Sequence, residues 1–258
     1  MATVRLLGER ISHSASPAMQ SAAFAALGLA HRYELADVAA ADLPAAIAAL
    51  READVLGANV TVPYKAAVMA LLDEVDALSR RADAVNTIVN VNGRLIGSNT
   101  DVPAIAHEIR LLMDAPRAAV ILGAGGAARA VATALSVIGT HETALVSRAI
   151  WSDLPRLLAT ADLLVNATPV GTNSDESPLD KSLLRPSLAV LDLVYRPSPT
   201  RLVRDARECG LSARAGAGVL LGQGWRSLEA WLSEPMPESV KAAMANALSH
   251  ELGVGADV

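Results

Sequence analysis

The sequence predicts an α/β protein with two domains, and three observations lead to that prediction. Short apolar segments alternate with segments of helical periodicity, which is typical of sheets covered by helices. The alternation starts again after Asp101. A chain of 258 residues is also long enough for two domains with separate cores.

Before Asp101 the pattern predicts a β-α-β order followed by a hairpin. Strands are expected at 4–7, 33–35, 58–62, 88–91 and 94–97, with helices at 17–27 and 43–50. Asn92-Gly93 accepts positive φ at both turn positions, so it favours a two-residue hairpin turn.

After Asp101 the pattern predicts a second sheet in which helices connect the strands. Strands are expected at 118–122, 144–147, 163–166, 190–193 and 212–213, with helices at 103–112, from the Gly-rich turn to Ile138, and from Gln223 onward.

Composition restricts the compartment and the partners. The formal charge is -5 without a basic stripe, so nucleic acid is not expected as a partner. Cys209 is the only cysteine, which excludes an internal disulfide and favours a reducing compartment. The chain has no signal-peptide pattern and no apolar run of roughly 20 residues, so we expect a cytoplasmic protein without a membrane partner.

A Gly-rich turn follows the predicted strand at 118–122. Gly123 permits a tight turn, Gly125 allows the backbone to approach a pyrophosphate, and the following helix presents free N–H groups to its charge. This order of elements predicts a dinucleotide site in a Rossmann-like domain. At the end of the next strand, Ser147-Arg148 stands where an acidic residue would favour NAD, so NADP is favoured and NAD is less expected. The alternative is a solvated surface arginine.

Polar residues in the first domain suggest a site for a small acid. Pro17 suits the first turn of a helix and Ser16 its N-cap, which leaves the Ser14 hydroxyl free for a carboxylate. Lys65 follows a Pro-directed turn, and a lysine held at the edge of a cleft can exchange a proton with a hydroxyl. Asp101 is placed to orient it, although its alternative role is to cap the next helix.

Eight motifs occur in the order found in the shikimate dehydrogenase family, which this chain resembles from about Ser12 to Gln223. They are HSASP (13–17), NVTVPYK (59–65), AVNT (84–87), SNTD (98–101), GAGGAARA (123–130), NATPVG (166–171), DLVYRPSPT (192–200) and GAGVLLGQ (216–223).

The resemblance implies a role for each motif residue. Lys65 and Asp101 would be the catalytic pair, and no metal would be required. The residues that would hold the substrate are Ser14, Ser16, Thr61, Asn86, Asp101, Tyr195 and Gln223. The residues that would hold the cofactor are Gly123, Ala124, Gly125, Gly126, Ala127, Ser147, Arg148, Asn166, Ala167, Thr168, Val194, Gly216 and Val219.

The implied function is reversible reduction of 3-dehydroshikimate to shikimate by NADPH, within the pathway to chorismate and the aromatic amino acids. Residues 1–101 and 223–258 would form an N-terminal substrate-binding and catalytic domain completed by C-terminal helices, and residues 102–222 the NADP-binding domain. The alternatives are a quinate or aminoshikimate dehydrogenase of the same family, or a non-catalytic protein that binds NADP and a ring acid. The protein would be a monomer or a homodimer.

One departure from the family pattern affects the nucleotide domain. Between Arg148 and Asp162 there is room for only one short helix, whereas the family has a helix and a further strand. We therefore predict a nucleotide sheet that lacks its outer strand on this side. Val219 also stands where the family commonly has a methionine.

Overall fold

The computed structural model describes residues 1–253 and separates into two compact units. One unit comprises Met1–Asp101 and Gln223–Glu251, and the other contains Val102–Gly222 together with Leu252 and Gly253. Both units are α/β, which confirms the predicted fold class. The part of the domain prediction that falls on residues 254–258 lies outside the described residues.

The first unit is built on a six-stranded mixed sheet. Its strands are β1 (Thr3–Gly8), β2 (Arg32–Asp37), β3 (Val55–Val60), β4 (Glu74–Val75), β5 (Thr87–Val91) and β6 (Arg94–Ser98). Their order is β2-β1-β3-β5-β6-β4. The helices are α1 (Ser16–Ala26), α2 (Leu43–Ala48), α3 (Ala77–Ala82) and, after the second unit, α9 (Glu238–Leu252), with 3₁₀ turns at Ala40–Asp42, Ala49–Arg51 and Ala67–Leu71.

Aliphatic side chains hold this sheet against α2. Leu7, Ile47, Leu50, Ile88 and Leu95 are all at most 2% exposed and belong to one core cluster. β5 and β6 form the predicted hairpin, and Asn92 and Gly93 both have positive φ, as the two-residue turn requires.

The second unit contains a five-stranded parallel sheet. Its strands are β7 (Ala118–Leu122), β8 (Glu142–Val146), β9 (Leu163–Asn166), β10 (Ala189–Asp192) and β11 (Ala213–Arg214), in the order β11-β10-β9-β7-β8. The helices are α4 (Asp101–Leu112), α5 (Gly126–Val137), α6 (Leu154–Leu158) and α7 (Arg201–Glu208), with 3₁₀ turns at Arg148–Asp153 and Lys181–Leu183. Helix α8 (Ala217–Leu232) crosses the unit boundary at Gly222.

The sheet of the second unit ends at β8, as the shortened segment predicts. Between Val146 and Leu163 the structure contains one 3₁₀ turn and the five-residue helix α6, without a strand. Leu154 and Leu158 of α6 are buried against the sheet core. This short connection therefore leads from β8 to β9 and leaves β8 as an edge strand.

Three local predictions are wrong. Ser16 is not the N-cap of α1: Ala15 occupies that position, and the Ser14 hydroxyl accepts a hydrogen bond from the Ser16 N–H at 3.2 Å. β3 ends at Val60 rather than residue 62, because the turn toward Pro63 begins there. The last helical region begins at Ala217 rather than Gln223, because Gly218 and Gly222 are accommodated within α8.

None of the helices in residues 1–253 combines the length and the apolar character that a membrane span requires.

Candidate active site

Lys65 and Asp101 form an ion pair in the first unit. The Lys65 Nζ donates to the Asp101 Oδ2 at 2.7 Å, and the two side chains are 25% and 15% exposed. Both are therefore largely shielded from water but still reachable from solvent. The sequence predicted this pair across 36 residues of chain, and the structure brings the two groups together.

Backbone contacts on both sides fix the position of the pair. The Val85 N–H donates to the Lys65 carbonyl at 2.7 Å, which ties the lysine to the segment before β5. Neighbouring Tyr64 is buried, and its hydroxyl donates to the Val38 carbonyl at 2.6 Å. Asp101 is the first residue of α4, so its carboxylate lies at a helix N-terminus. The hydrogen bond from Lys65 agrees with the prediction that Asp101 orients the lysine, whereas the alternative role as a helix cap stays a prediction.

A buried group of uncharged polar side chains lies next to Asp101, and we call it the hydroxyl–amide network. It consists of Tyr33, Asn59, Asn86, Thr87, Thr100 and Ser227. Asn86, 2% exposed, accepts from the Thr100 N–H at 2.7 Å and donates to the Thr100 hydroxyl at 2.9 Å. The Asn86 amide therefore holds the residue that precedes Asp101.

The other predicted substrate residues of the first unit differ in exposure. Ser14 is half-buried, whereas Ser16 is buried. Tyr33 of the hydroxyl–amide network is also buried, and burial raises its pKa. Thr61 is half-buried just beyond β3. Gln223 is half-buried on α8, and its carbonyl accepts from the Ser227 hydroxyl at 2.9 Å.

Tyr195 is the one predicted substrate residue that lies in the second unit. It is half-buried after β10, and burial raises the pKa of its hydroxyl.

The Gly-rich turn joins β7 to α5 in the second unit. Gly123 has φ +113°, and a Cβ there would lie 3.1 Å from the Ala167 carbonyl oxygen, so the turn requires glycine. Gly125 is the N-cap of α5 and has no side-chain cap, and a Cβ on it would meet nothing within 4 Å. Ala124 and Ala127 are both exposed. Open space in front of an uncapped helix N-terminus fits a bound pyrophosphate.

Ser147 and Arg148 lie directly after β8, as predicted. Ser147 is half-buried and starts the 3₁₀ turn without a side-chain cap, and Arg148 is exposed. In the described part of the chain the Arg148 guanidinium has no ion-pair partner. Its charge is therefore available to an anion in solvent.

Asn166 and Asp192 end the adjacent strands β9 and β10 and are fully buried. The Asp192 carboxylate accepts from the Asn166 amide at 2.8 Å, the Val194 N–H at 3.0 Å and the Thr200 hydroxyl at 2.6 Å. Burial nevertheless raises the pKa of Asp192 to about 6, because the hydrogen bonds only partly offset desolvation.

The Asn166 side chain is used internally. Its Oδ1 accepts from the N–H and the hydroxyl of Thr168 at 3.0 and 2.7 Å, so it shapes the loop that carries Ala167. Just after the neighbouring strand β10, the Val194 carbonyl accepts from the Gly216 N–H at 3.1 Å. A Cβ on Gly216 would overlap the Leu193 carbonyl, and Val219 is buried one turn later.

Sequence reasoning missed the buried residues that support these groups. The sequence pattern places Tyr33 in a strand, Ser227 in a helix, and Asp192 and Thr200 in a family motif, and it gives none of them a separate role. Glu108 of α4, 3% exposed, pairs with Arg214 at 2.6 Å and was not singled out either. A polar residue on the apolar face of an element was the one available signal.

A nucleotide-type Gly-rich turn in one unit and a shielded lysine–aspartate pair in the other define a two-domain α/β oxidoreductase. The family described as "Shikimate dehydrogenase substrate binding domain" matches residues 6–88. A curated shikimate dehydrogenase (NADP(+)) of Symbiobacterium thermophilum is 42% identical over 93% of this chain and 92% of its own length. The chain therefore belongs to the shikimate dehydrogenase family, as the motifs predicted.

Solved structures agree with this assignment. Shikimate 5-dehydrogenase of Thermus thermophilus, solved in complex with NADP(H) and shikimate, aligns with a TM-score of 0.86 and 37% identity over 96% of this chain and all of the other. The 5-ketofructose reductase of Gluconobacter aligns with a TM-score of 0.84 and 28% identity, over 96% and 98% of the two chains. The fold thus also accommodates an enzyme named for a different ketone substrate.

Proposed function

We propose that this protein is an NADP-dependent shikimate dehydrogenase, which catalyses the reversible reduction of 3-dehydroshikimate to shikimate. The observation that carries the proposal is the 2.7 Å ion pair between Lys65 and Asp101. A relative named shikimate dehydrogenase (NADP(+)), 42% identical over nearly the whole chain, supports the choice of substrate and cofactor.

Lys65 acts as the proton donor to the C3 oxygen of the ketone. Its ammonium is 25% exposed, so a substrate oxygen can reach it, while its partial burial limits competition from water. In the oxidation direction the neutral amine accepts the proton of the C3 hydroxyl. Asp101 directs Nζ through its hydrogen bond and can accept a second one from a substrate hydroxyl.

Side chains of the first unit hold the ring acid. Ser14 and Ser16 are placed at the start of α1, where a helix N-terminus favours a carboxylate. Thr61 and Gln223 are half-buried and therefore offer polar atoms to ring hydroxyls. Asn86 acts mainly by holding Thr100.

NADP binds at the Gly-rich turn of the second unit. When bound, its reduced form supplies the hydride for the ketone carbon. The N–H groups at the start of α5, beside the open space at Gly125, would hold the pyrophosphate, and the Ser147 hydroxyl and Arg148 guanidinium would hold the 2′-phosphate. Residues 166–168 line the turn opposite Gly123, and Val194, Gly216 and Val219 form the wall at the nicotinamide end.

A spectrophotometric cross of two nucleotides against two ring acids tests the proposal. NADP with shikimate is expected to give the highest kcat/KM, ahead of NAD with shikimate and of either nucleotide with quinate. Preference for quinate would make the protein the related quinate enzyme. Binding of shikimate and NADP without any turnover would make it a non-catalytic binding protein.

The likeness to 5-ketofructose reductase provides a second arm for the same experiment. NADPH oxidation with 5-ketofructose is expected to remain at background. Ser14 and Ser16 are proposed to bind the carboxylate of the substrate, and this ketone has no carboxylate to bind there. Efficient reduction of that ketone would replace the proposed substrate.

We also propose a cytoplasmic enzyme that is a monomer or a homodimer. A reducing compartment agrees with the single, exposed Cys209. Cell fractionation and light scattering measure the two properties directly.

A further inference from the structure

Ser227 occupies the centre of the hydroxyl–amide network. It is a helical residue of α8 and is fully buried. Its Oγ lies 2.9 Å from the Asn59 Nδ2, 2.8 Å from the Thr87 hydroxyl, 3.1 Å from the Thr100 hydroxyl and 2.9 Å from the Gln223 carbonyl oxygen. One hydroxyl thus joins β3, β5, the segment before α4, and α8.

The donors and acceptors around Ser227 can be assigned from this geometry. A serine hydroxyl donates once and accepts twice. The Asn59 amide has two protons, and its shortest contacts are to Ser227 and to the Asn86 carbonyl, at 2.9 and 3.0 Å. Ser227 therefore accepts from Asn59 and from Thr87, and it donates to the Gln223 carbonyl, so its capacity is fully used.

The network continues from Asn59 to Tyr33 of β2. The Tyr33 hydroxyl donates to the Asn59 Oδ1 at 2.8 Å. A continuous path of hydrogen bonds therefore connects Tyr33 with Ser227 through Asn59.

In the other directions the network reaches two of the predicted substrate groups. Thr100 precedes Asp101 and is held by Asn86. Gln223 lies one helical turn before Ser227 and is tied to it by its own carbonyl. Asn86 and Gln223, which are assigned to substrate binding, thus share one buried support.

We propose that Ser227 is a positioning residue for the ring acid: it keeps Asn86 and Gln223 in a common geometry without touching the substrate. The inference rests on the proposed function, because it assumes that these residues bind the acid. The Lys65–Asp101 hydrogen bond does not pass through Ser227, so the effect falls more on acid binding than on proton transfer.

Replacement by alanine removes the shared oxygen. In Ser227→Ala the Asn59 amide proton that pointed to Ser227 has only the Thr87 hydroxyl as acceptor, at 3.3 Å. The Thr87 hydroxyl must then donate to the Thr100 hydroxyl or to the Asn86 Oδ1, both at 3.2 Å. A half-satisfied buried network relaxes toward new geometries, so the residues it holds lose their alignment.

Ser79→Ala is the matched control. Ser79 is a fully buried serine of the same unit, and its hydroxyl has no hydrogen-bond partner among the described residues. It belongs neither to the network nor to any proposed binding group. The same atom is removed from a comparably buried position in both variants.

The experiment measures KM for shikimate and for NADP, and the dissociation constant of shikimate by calorimetry. We expect Ser227→Ala to raise KM and the dissociation constant for shikimate about tenfold, with KM for NADP unchanged within about twofold. Ser79→Ala is expected to leave all three values at the wild-type level. Ser227→Cys keeps a weak hydrogen-bond donor and acceptor, so its shikimate constants should lie between those of the wild type and of Ser227→Ala. It replaces the alanine variant in the experiment if that variant does not fold.

Unchanged shikimate constants in Ser227→Ala would overturn the proposal, and so would an equal rise of both KM values, since that indicates general destabilisation. The wild type separates this outcome from failure of the proposed function. If the wild type prefers quinate, the change in KM for quinate is compared with the change in KM for NADP in the same way. If the wild type binds neither acid, the positioning role fails together with the site it serves.

Discussion

The two units bury polar groups in different ways. Beside Asp101 the first unit buries only neutral hydroxyls and amides, which satisfy one another. At the ends of β9 and β10 the second unit buries the ionisable Asp192, with three donors around it. Neutral networks are insensitive to pH, whereas a buried carboxylate couples folding to it. The neutral network of the first unit suits a site that must hold a ring acid. The buried Asp192 makes the stability of the nucleotide unit depend on pH.

The largest effect is expected for a variant of the Lys65–Asp101 ion pair. Lys65→Ala should lower kcat by about 10²–10⁴-fold, because the ketone loses its proton donor, while the shikimate dissociation constant stays within several-fold. Steady-state kinetics and calorimetry measure the two quantities. Lys181→Ala, which removes an exposed lysine paired with Glu208, is the control and should keep full activity. An unchanged kcat in Lys65→Ala would remove this residue from the mechanism.

The second prediction concerns the donors around Asp192. Thr200→Val removes a 2.6 Å hydrogen bond to the carboxylate and the cap of α7, where the Thr200 hydroxyl accepts from the Val203 N–H. A loss of about 2–4 kcal/mol in the free energy of unfolding is expected. Denaturant titration measures it against Thr133→Val, a buried threonine of the same unit that bonds only within α5. Equal losses in the two variants would mean that the Asp192 contact is unimportant.

The third prediction is the pH dependence that this carboxylate produces. The pKa of Asp192 is about 6 in the folded protein and 3.8 in an ordinary carboxyl, so the folded state binds the proton more tightly. Its contribution to stability is fully present below pH 3.8 and is lost as pH rises through 6, at a cost on the order of 2–3 kcal/mol. Unfolding titrations between about pH 4 and 7 measure this loss on top of the other ionisable groups.

Asp192→Asn isolates that contribution. The asparagine keeps an acceptor for Val194 and Asn166, and its amide meets the Thr200 oxygen, so the fold is expected to tolerate it. The difference in unfolding free energy between wild type and variant should change with pH across about 4–6 and be constant above about 7. A difference that does not vary with pH would show that Asp192 titrates normally.

The smallest effect is expected from an exposed charge of the nucleotide unit. Arg148→Ala should raise KM for NADP about tenfold and leave KM for NAD nearly unchanged, because only NADP carries the 2′-phosphate. Kinetics with both nucleotides measure the ratio. Arg156→Ala, an exposed arginine of α6 that pairs with Asp153, serves as control. Equal effects on NADP and NAD would assign Arg148 to general electrostatics rather than to phosphate recognition.

Much of this protein could be predicted from local sequence. The Asn92-Gly93 hairpin, the glycine turn before α5 and the short connection after β8 depend on backbone geometry and chain length over a few residues. Such features are encoded where they occur. The two sheets follow from the alternation of apolar segments for the same reason, and the ordered motifs led to the family.

Only the tertiary structure decided which polar residues support the site. Ser227 and Asn59 are 168 positions apart, and nothing near Ser227 in the sequence distinguishes it from a solvated helical serine. The proton affinity of Asp192 likewise depends on how completely β9, β10 and the start of α7 exclude water. Hydrogen bonding and desolvation act through space, so the residues that matter most for them are identified only when distant segments of the chain meet.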